Sequence, residues 1–122
     1  MMANELNLDY KSIRAGLTFD YPRASDLPGT WFTAGPCLLK DTMQLAAFNN
    51  FVLGHAAMLV NEVLPMNIVL RLERSYSLPD MTVGLLGMSF EAGSDDIRSS
   101  LRYKLMRLLR FKAKRVLCHD PT

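Results

Sequence analysis

The chain has 122 residues, of which 49% are apolar and 21% charged, and its net charge is +2. That composition is globular and long enough for one modest domain with a core. Two cysteines cannot make a disulfide framework, no apolar leader opens the chain, and Lys, Arg, Asn or Pro break its longest apolar runs; the expectation is a cytoplasmic protein with no membrane span.

Residues 3–7 read as the tail of a helix. Asp9 is the natural N-cap of a short helix over Tyr10–Gly16, with Leu8 and Ile13 at the two positions of a hydrophobic staple. Residues 20–37 hold three of the six prolines and two of the seven glycines, the signature of a long ordered loop. Trp31 and Phe32 lie in it, and the pattern leaves open whether they face a ligand or cover the core.

Asp41 with Gln44 three residues on forms a capping box, which predicts that the next helix starts there. Met43, Ala47, Phe51, Leu59 and Val63, widened by Leu45, Phe48 and Val52, mark an apolar face that runs until Pro65. So broad a face on so short a chain points to a partner subunit. A further short helix is expected over about 67–75.

The texture then changes. MTVGLLGMSF (81–90) reads as a buried strand entering a turn. SDDIRSSLRYKLMRLLRF is a helix capped by Ser94 or Asp95, with Ile97, Leu101, Leu105, Leu108 and Leu109 as its stripe. KRVLCHDP is a second strand, with Cys118 buried in it. Strand, helix, strand makes a parallel pair. Asp120 stands where dinucleotide folds place a ribose-binding acid, although the first turn lacks G-x-G-x-x-G. Two strands do not make a sheet able to stand alone, so the chain reads as a piece of something larger.

Charge is unevenly spread. Residues 1–97 carry six Lys/Arg against eleven Asp/Glu, whereas residues 98–115 hold eight Lys/Arg and no acid. Such a stripe is either the solvated face of a helix or an anion-binding surface, and without an aromatic platform beyond Tyr103 and Phe111 it argues against nucleic acid. His55 and His119 have no Cys or His at metal-ligand spacing, so no metal is expected.

Cys37 draws the chemistry. It precedes the expected helix start, where the dipole and unpaired N–H groups favour an anion, and Lys40 adds a cation. Both favour the nucleophilic thiolate, with Asp41 near enough to orient water or balance Lys40. A small buried hydrophobe is the other reading of a free cysteine.

Two segments resemble the UDP-glucose/GDP-mannose dehydrogenase family. PGTWFTAGPCLLKDTMQLAAF is similar to its active-site pattern P-G-x-G-F-G-G-[SP]-C-x-x-K-D. VGLLGMSFEAGSDDIRSS is similar to V-x-x-L-G-x-x-F-K-x-x-[ST]-D-D-x-R-E-S, which opens its C-terminal domain. Glu91 and Ser99 stand where that pattern has lysine and glutamate, and Trp31, Thr33 and Ala34 replace much of its glycine-rich run.

The resemblance implies an α/β chain in two parts. A helical dimerisation region with the cysteine loop (1–79) would precede the first βαβ unit of a Rossmann-like sugar-nucleotide domain (80–122). It implies oxidation of the C6 hydroxyl of a UDP- or GDP-sugar to a carboxylate, with NAD as cofactor, through a thiohemiacetal and thioester on Cys37. Asp41 would serve the hydrolytic water and Lys40 would supply charge. Arg23, Thr30, Trp31, Phe32 and Phe90 would bind substrate, Arg98 would touch the cofactor, and a homodimer would form through 41–63. The family's cofactor domain, with its G-x-G-x-x-G, is not in this sequence, so the chain is expected to be a fragment, inactive alone. The rival reading is a non-catalytic dimerisation or scaffold protein of the same fold.

Overall fold

The computed structural model describes residues 1–30, 32–49, 51–91 and 93–120. Its contacts divide the chain into two compact units, Met1–Trp31 and Phe32–Thr122.

The first unit holds α1 (Met2–Glu5), α2 (Tyr10–Thr18) and a 3-10 turn at Pro22–Ala24. Asp9 caps α2 as its sequence position predicts: its carboxylate accepts the N–H groups of Lys11 and Ser12 and the Ser12 hydroxyl. These bonds, led by the hydroxyl, hold the Asp9 carboxyl below its usual range. Arg14 Nε donates to the Leu27 carbonyl at 2.7 Å and Tyr10 donates to Pro28, so the loop returns onto α2.

The second unit is mixed α/β. It comprises α3 (Pro36–Asn49), α4 (Val52–Ser75), a 3-10 turn at Leu78–Asp80, β1 (Thr82–Leu86), α5 (Leu101–Arg110) and β2 (Arg115–His119). β1 and β2 are parallel, in a register that sets Val83 against Val116 and Leu85 against Cys118. α5 supplies Leu101, Leu105 and Leu109 to the interior at a helical period of four. Val69, Leu78, Leu105 and Leu109 form the core, with Ile68, Leu72, Val83, Leu85 and Val116 packed around them.

Four boundaries differ from the sequence reading. The helix expected from Asp41 begins at Pro36, with Asp41 inside it. Gly35, at φ +109°, turns the chain, its carbonyl accepts the Leu39 N–H, and Pro36 sits at the first helical position, where its fixed φ suits a helix start. The single apolar helix over 41–63 is instead two, α3 ending at Asn49 and α4 starting at Val52. Pro65 does not stop α4; it is buried within a helix that continues to Ser75 and absorbs the one expected over 67–75. Burying that ring offsets the hydrogen bond its missing N–H removes. Finally, Ser94 and Asp95 do not cap α5, which starts at Leu101. Ser94 Oγ accepts the Asp96 N–H and the Asp96 carboxylate accepts the Arg98 N–H, so the cap-forming residue types close turns ahead of the helix.

Two further expectations are corrected. Cys118 is exposed, because in a two-stranded sheet each strand is an edge and no described strand flanks it on its outer side. Asp120 is also used differently. Its Oδ2 accepts the N–H groups of Met88 and Ser89 at 2.8 and 3.0 Å, tying the end of β2 to the turn after β1.

Two lysines of the basic stripe, one on α5 and one just after it, pair with α4. Lys104 Nζ reaches Glu62 Oε2 at 2.9 Å and the Glu62 carbonyl at 2.6 Å, and Lys112 Nζ reaches Glu73 Oε1 at 2.9 Å. α4 is long and apolar enough, by length and composition alone, to cross a membrane, and most of it is exposed. The apolar face predicted for the helical region stays uncovered: Met43, Leu45, Phe48, Val52, Leu59 and Val63 are all exposed. Ala46, Gly54 and Val69 are buried.

Candidate active site

With the helix starting at Pro36, Cys37 occupies its second position, inside the first turn. The first N–H groups of a helix have no helical acceptor and its aligned dipoles point their positive end there. Lys40 and Asp41 follow at i+3 and i+4 and therefore share the face of Cys37. All three side chains are exposed, so Cys37 is not a core residue. Lys40 Nζ lies 3.3 Å from Asp41 Oδ1, an ion pair whose partners are both more than 60% exposed and which adds little stability.

The loop after β1 brings two more candidates to this turn. Gly35 leaves room for Phe90: a Cβ at Gly35 would lie 3.2 Å from the Phe90 ring. Arg98 is gripped by Asp96, with Nη2 2.6 Å from Oδ2 and Nε 3.0 Å from both carboxylate oxygens. These bonds raise the Arg98 pKa and lower that of Asp96. Ser99, the residue after Arg98, lines the same pocket as Gly35 and Leu38, which brings this loop to the start of α3.

The loop itself is well tied. Phe90 N–H donates to the Asp96 carbonyl, Ser100 Oγ to Met88, Ser89 Oγ to Glu91, and Arg102 Nη1 to the Ser89 carbonyl. Behind the cysteine face lies a pocket of about 170 Å³. Ala34 and Gly35, Leu38 and Thr42 of α3, and Met58 and Asn61 of α4 line much of it.

The structure therefore gathers Cys37, Lys40, Asp41, Phe90 and Arg98 around the start of α3. Phe32, whose role the sequence left open, packs against the core. Arg23 and Thr30 belong to the first unit, and Trp31 lies outside the described residues. The sequence reading missed Asn61, whose side chain bonds both backbone groups of Thr33. Its one local signal was an amide in the middle of an apolar run. No group of three His, Cys, Asp or Glu among the described residues is placed to hold a metal.

The resemblance places NAD on a domain outside this sequence, and the turn after β1 is occupied from within. The N–H groups of Met88 and Ser89, which a phosphate would need there, are taken by Asp120.

No protein-family model matches the chain, and no solved structure matches it. A curated protein does. The chain is 30% identical over 112 residues to the GDP-mannose 6-dehydrogenase of Azotobacter vinelandii. The match takes in 88% of this chain but spans only 22% of that relative's length. It supports a distant relationship to a dehydrogenase of nucleotide sugars.

Proposed function

We propose that the chain carries the cysteine-bearing segment of a nucleotide-sugar 6-dehydrogenase, followed by the first βαβ unit of a Rossmann-like sugar-nucleotide domain. The activity of the whole protein would be oxidation of the C6 hydroxyl of a GDP- or UDP-sugar to a carboxylate, with NAD taking the hydrides at a site other than the β1–α5 turn. The observation that carries this reading is the shared exposed face of Cys37, Lys40 and Asp41 at the start of α3.

In that chemistry Cys37 Sγ forms a bond to the C6 aldehyde carbon, and the carbonyl electron pair moves onto oxygen as a proton arrives. The helix start stabilises negative charge on sulfur and on that oxygen. At the thioester stage Asp41 accepts a proton from water as the water oxygen attacks the carbonyl, and the thiolate of Cys37 leaves. Lys40 offsets the carboxylate charge beside it. Phe90, against Gly35, would wall the nucleotide side.

A GDP- or UDP-sugar with a ¹³C-labelled aldehyde at C6 tests this directly. The native chain is expected to give a thiohemiacetal carbon resonance, absent with Cys37→Ser. A chain that binds the aldehyde without forming the Cys37 adduct would remove the reading.

The uncovered apolar face of α3 and α4 favours a second reading, a homodimer through 41–63. A chain of that kind acts as a dimerisation module whether or not Cys37 turns over.

A further inference from the structure

α4 is apolar over most of its length, yet one amide in it reaches across to the segment leading into Cys37. Asn61 Oδ1 accepts the Thr33 N–H at 3.0 Å, and Asn61 Nδ2 donates to the Thr33 carbonyl at 2.5 Å. A primary amide presents donor and acceptor side by side, so one side chain satisfies both polar groups of one backbone residue. Two such bonds fix the direction of the peptide groups at Thr33 as well as their place.

Two residues later the same segment is held from another side. Gly35 packs against the Phe90 ring with a left-handed φ, and only Ala34 separates the two clamps. Pro36 and Cys37 follow at once, so little rotational freedom remains between Asn61's grip and the sulfur. Near Asn61 stand the carboxylate of Glu62 and the Lys104 of α5 that pairs with it.

We infer that Asn61 is a positioning residue: through its reciprocal pair with Thr33 it sets the path of residues 33–35 and so the direction in which the first turn presents Cys37. This rests on Cys37 being the reactive group of the proposed function, but not on turnover. Asn61 touches no reacting atom and acts through the backbone.

The test uses the full chain and two readouts that need no activity: hydrogen exchange at the Thr33 amide, and the ratio of Cys37 to Cys118 alkylation by iodoacetamide. Cys118, on β2 and exposed, is the internal reference. With Asn61→Ala, exchange at Thr33 is expected to rise on the order of tenfold, and the alkylation ratio to shift by a similar factor while Cys118 keeps its rate. An unchanged ratio, or equal acceleration of both cysteines and of exchange across the whole unit, overturns the proposal.

Asn61→Asp supplies a readout that a purely structural role would not move, and it stands in if Asn61→Ala fails to fold. Near pH 3, below the ordinary carboxyl range, the protonated group can donate to the Thr33 carbonyl and accept from its N–H; at pH 7 a carboxylate faces that carbonyl. Protection at Thr33, corrected for intrinsic rates, should be wild-type at the lower pH and weaker at the higher, where the carboxylate still accepts the Thr33 N–H but repels the carbonyl. A profile that follows the wild type's overturns the proposal. Failure of the aldehyde to form an adduct with Cys37 would leave both readouts standing, so the two ideas fall separately.

Discussion

Asp120 and Ser89 are bonded across 31 residues: the Asp120 carboxylate, at the end of β2, accepts the Ser89 N–H at 3.0 Å and, through the same oxygen, the Met88 N–H at 2.8 Å. The two strands are thus joined beyond their ladder, which already extends to a bond from Gly87 N–H to the His119 carbonyl at 2.7 Å. A side chain that could have received a ribose instead closes the turn after β1.

Removing that carboxylate leaves two backbone donors without their acceptor. Asp120→Ala is expected to destabilise the second unit by about 1–3 kcal/mol, and Asp120→Asn, which keeps one amide oxygen as acceptor, by less. Urea unfolding followed by circular dichroism ranks the three proteins. Equal midpoints would mean that water serves the two N–H groups as well as Asp120 does.

Gly35 carries a second local demand. Its φ of +109° is one that L side chains rarely adopt, and a Cβ there would press on the Phe90 ring at 3.2 Å. Gly35→Ala should cost on the order of 1–3 kcal/mol and lower the alkylation rate of Cys37. Adding Phe90→Leu should return only the steric part, because the backbone strain remains. Full recovery in the double variant would place the whole cost in the ring contact.

The strand–helix–strand unit was legible because its signals are local and periodic. Val83 and Leu85 alternate, and Leu101, Leu105 and Leu109 repeat at the helical spacing. Asp9 was legible for the same reason, a capping residue directly before its helix. The start of α3 was misplaced because two local signals compete. The Asp41–Gln44 spacing favours one start, whereas the turn at Gly35 and the proline at 36 favour an earlier one, and the earlier start takes Asp41 into the helix. Pro65 was misread because a proline stops a helix only where nothing compensates, and its burial is a tertiary fact.

The site divides along the same line. Cys37, Lys40 and Asp41 lie within five residues and were visible as a motif. Asn61 and Thr33 are 28 apart, Gly35 and Phe90 further still, and no period in the sequence joins either pair. Cys118 was expected to be buried because strand residues of that type usually are, and its exposure follows from how few described strands flank it.

The cap of α2 gives a pH dependence with a definite sign. Asp9 is held below its ordinary carboxyl range in the folded chain, first by the Ser12 hydroxyl and then by the N–H groups of Lys11 and Ser12. A depressed folded pKa means that the cap contributes stability above the unfolded value and loses it as pH falls through the folded one. Protection at Lys11 and Ser12, corrected for intrinsic rates, should therefore fall below about pH 4, while Asp9→Asn, which caps without titrating, should show a flat profile there. A flat wild-type profile would remove the cap as the cause.

The last prediction concerns the uncovered face. Phe48 is 86% exposed and Leu59 66%, and Met43, Leu45, Val52 and Val63 of α3 and α4 are exposed as well. Exposed apolar side chains in that number call for a contact surface, and a stable one buries on the order of 800 Å² per partner. Light scattering at micromolar concentration should give twice the chain mass of 13.8 kDa. Phe48→Asp and Leu59→Glu should each restore the single mass, with little change in the secondary structure of α5, β1 and β2, because neither side chain belongs to the core. A monomer at all concentrations would count against the dimer. If that monomer co-floats with lipid vesicles, and Leu59→Glu abolishes flotation, the apolar length of α4 meets lipid instead of a second copy.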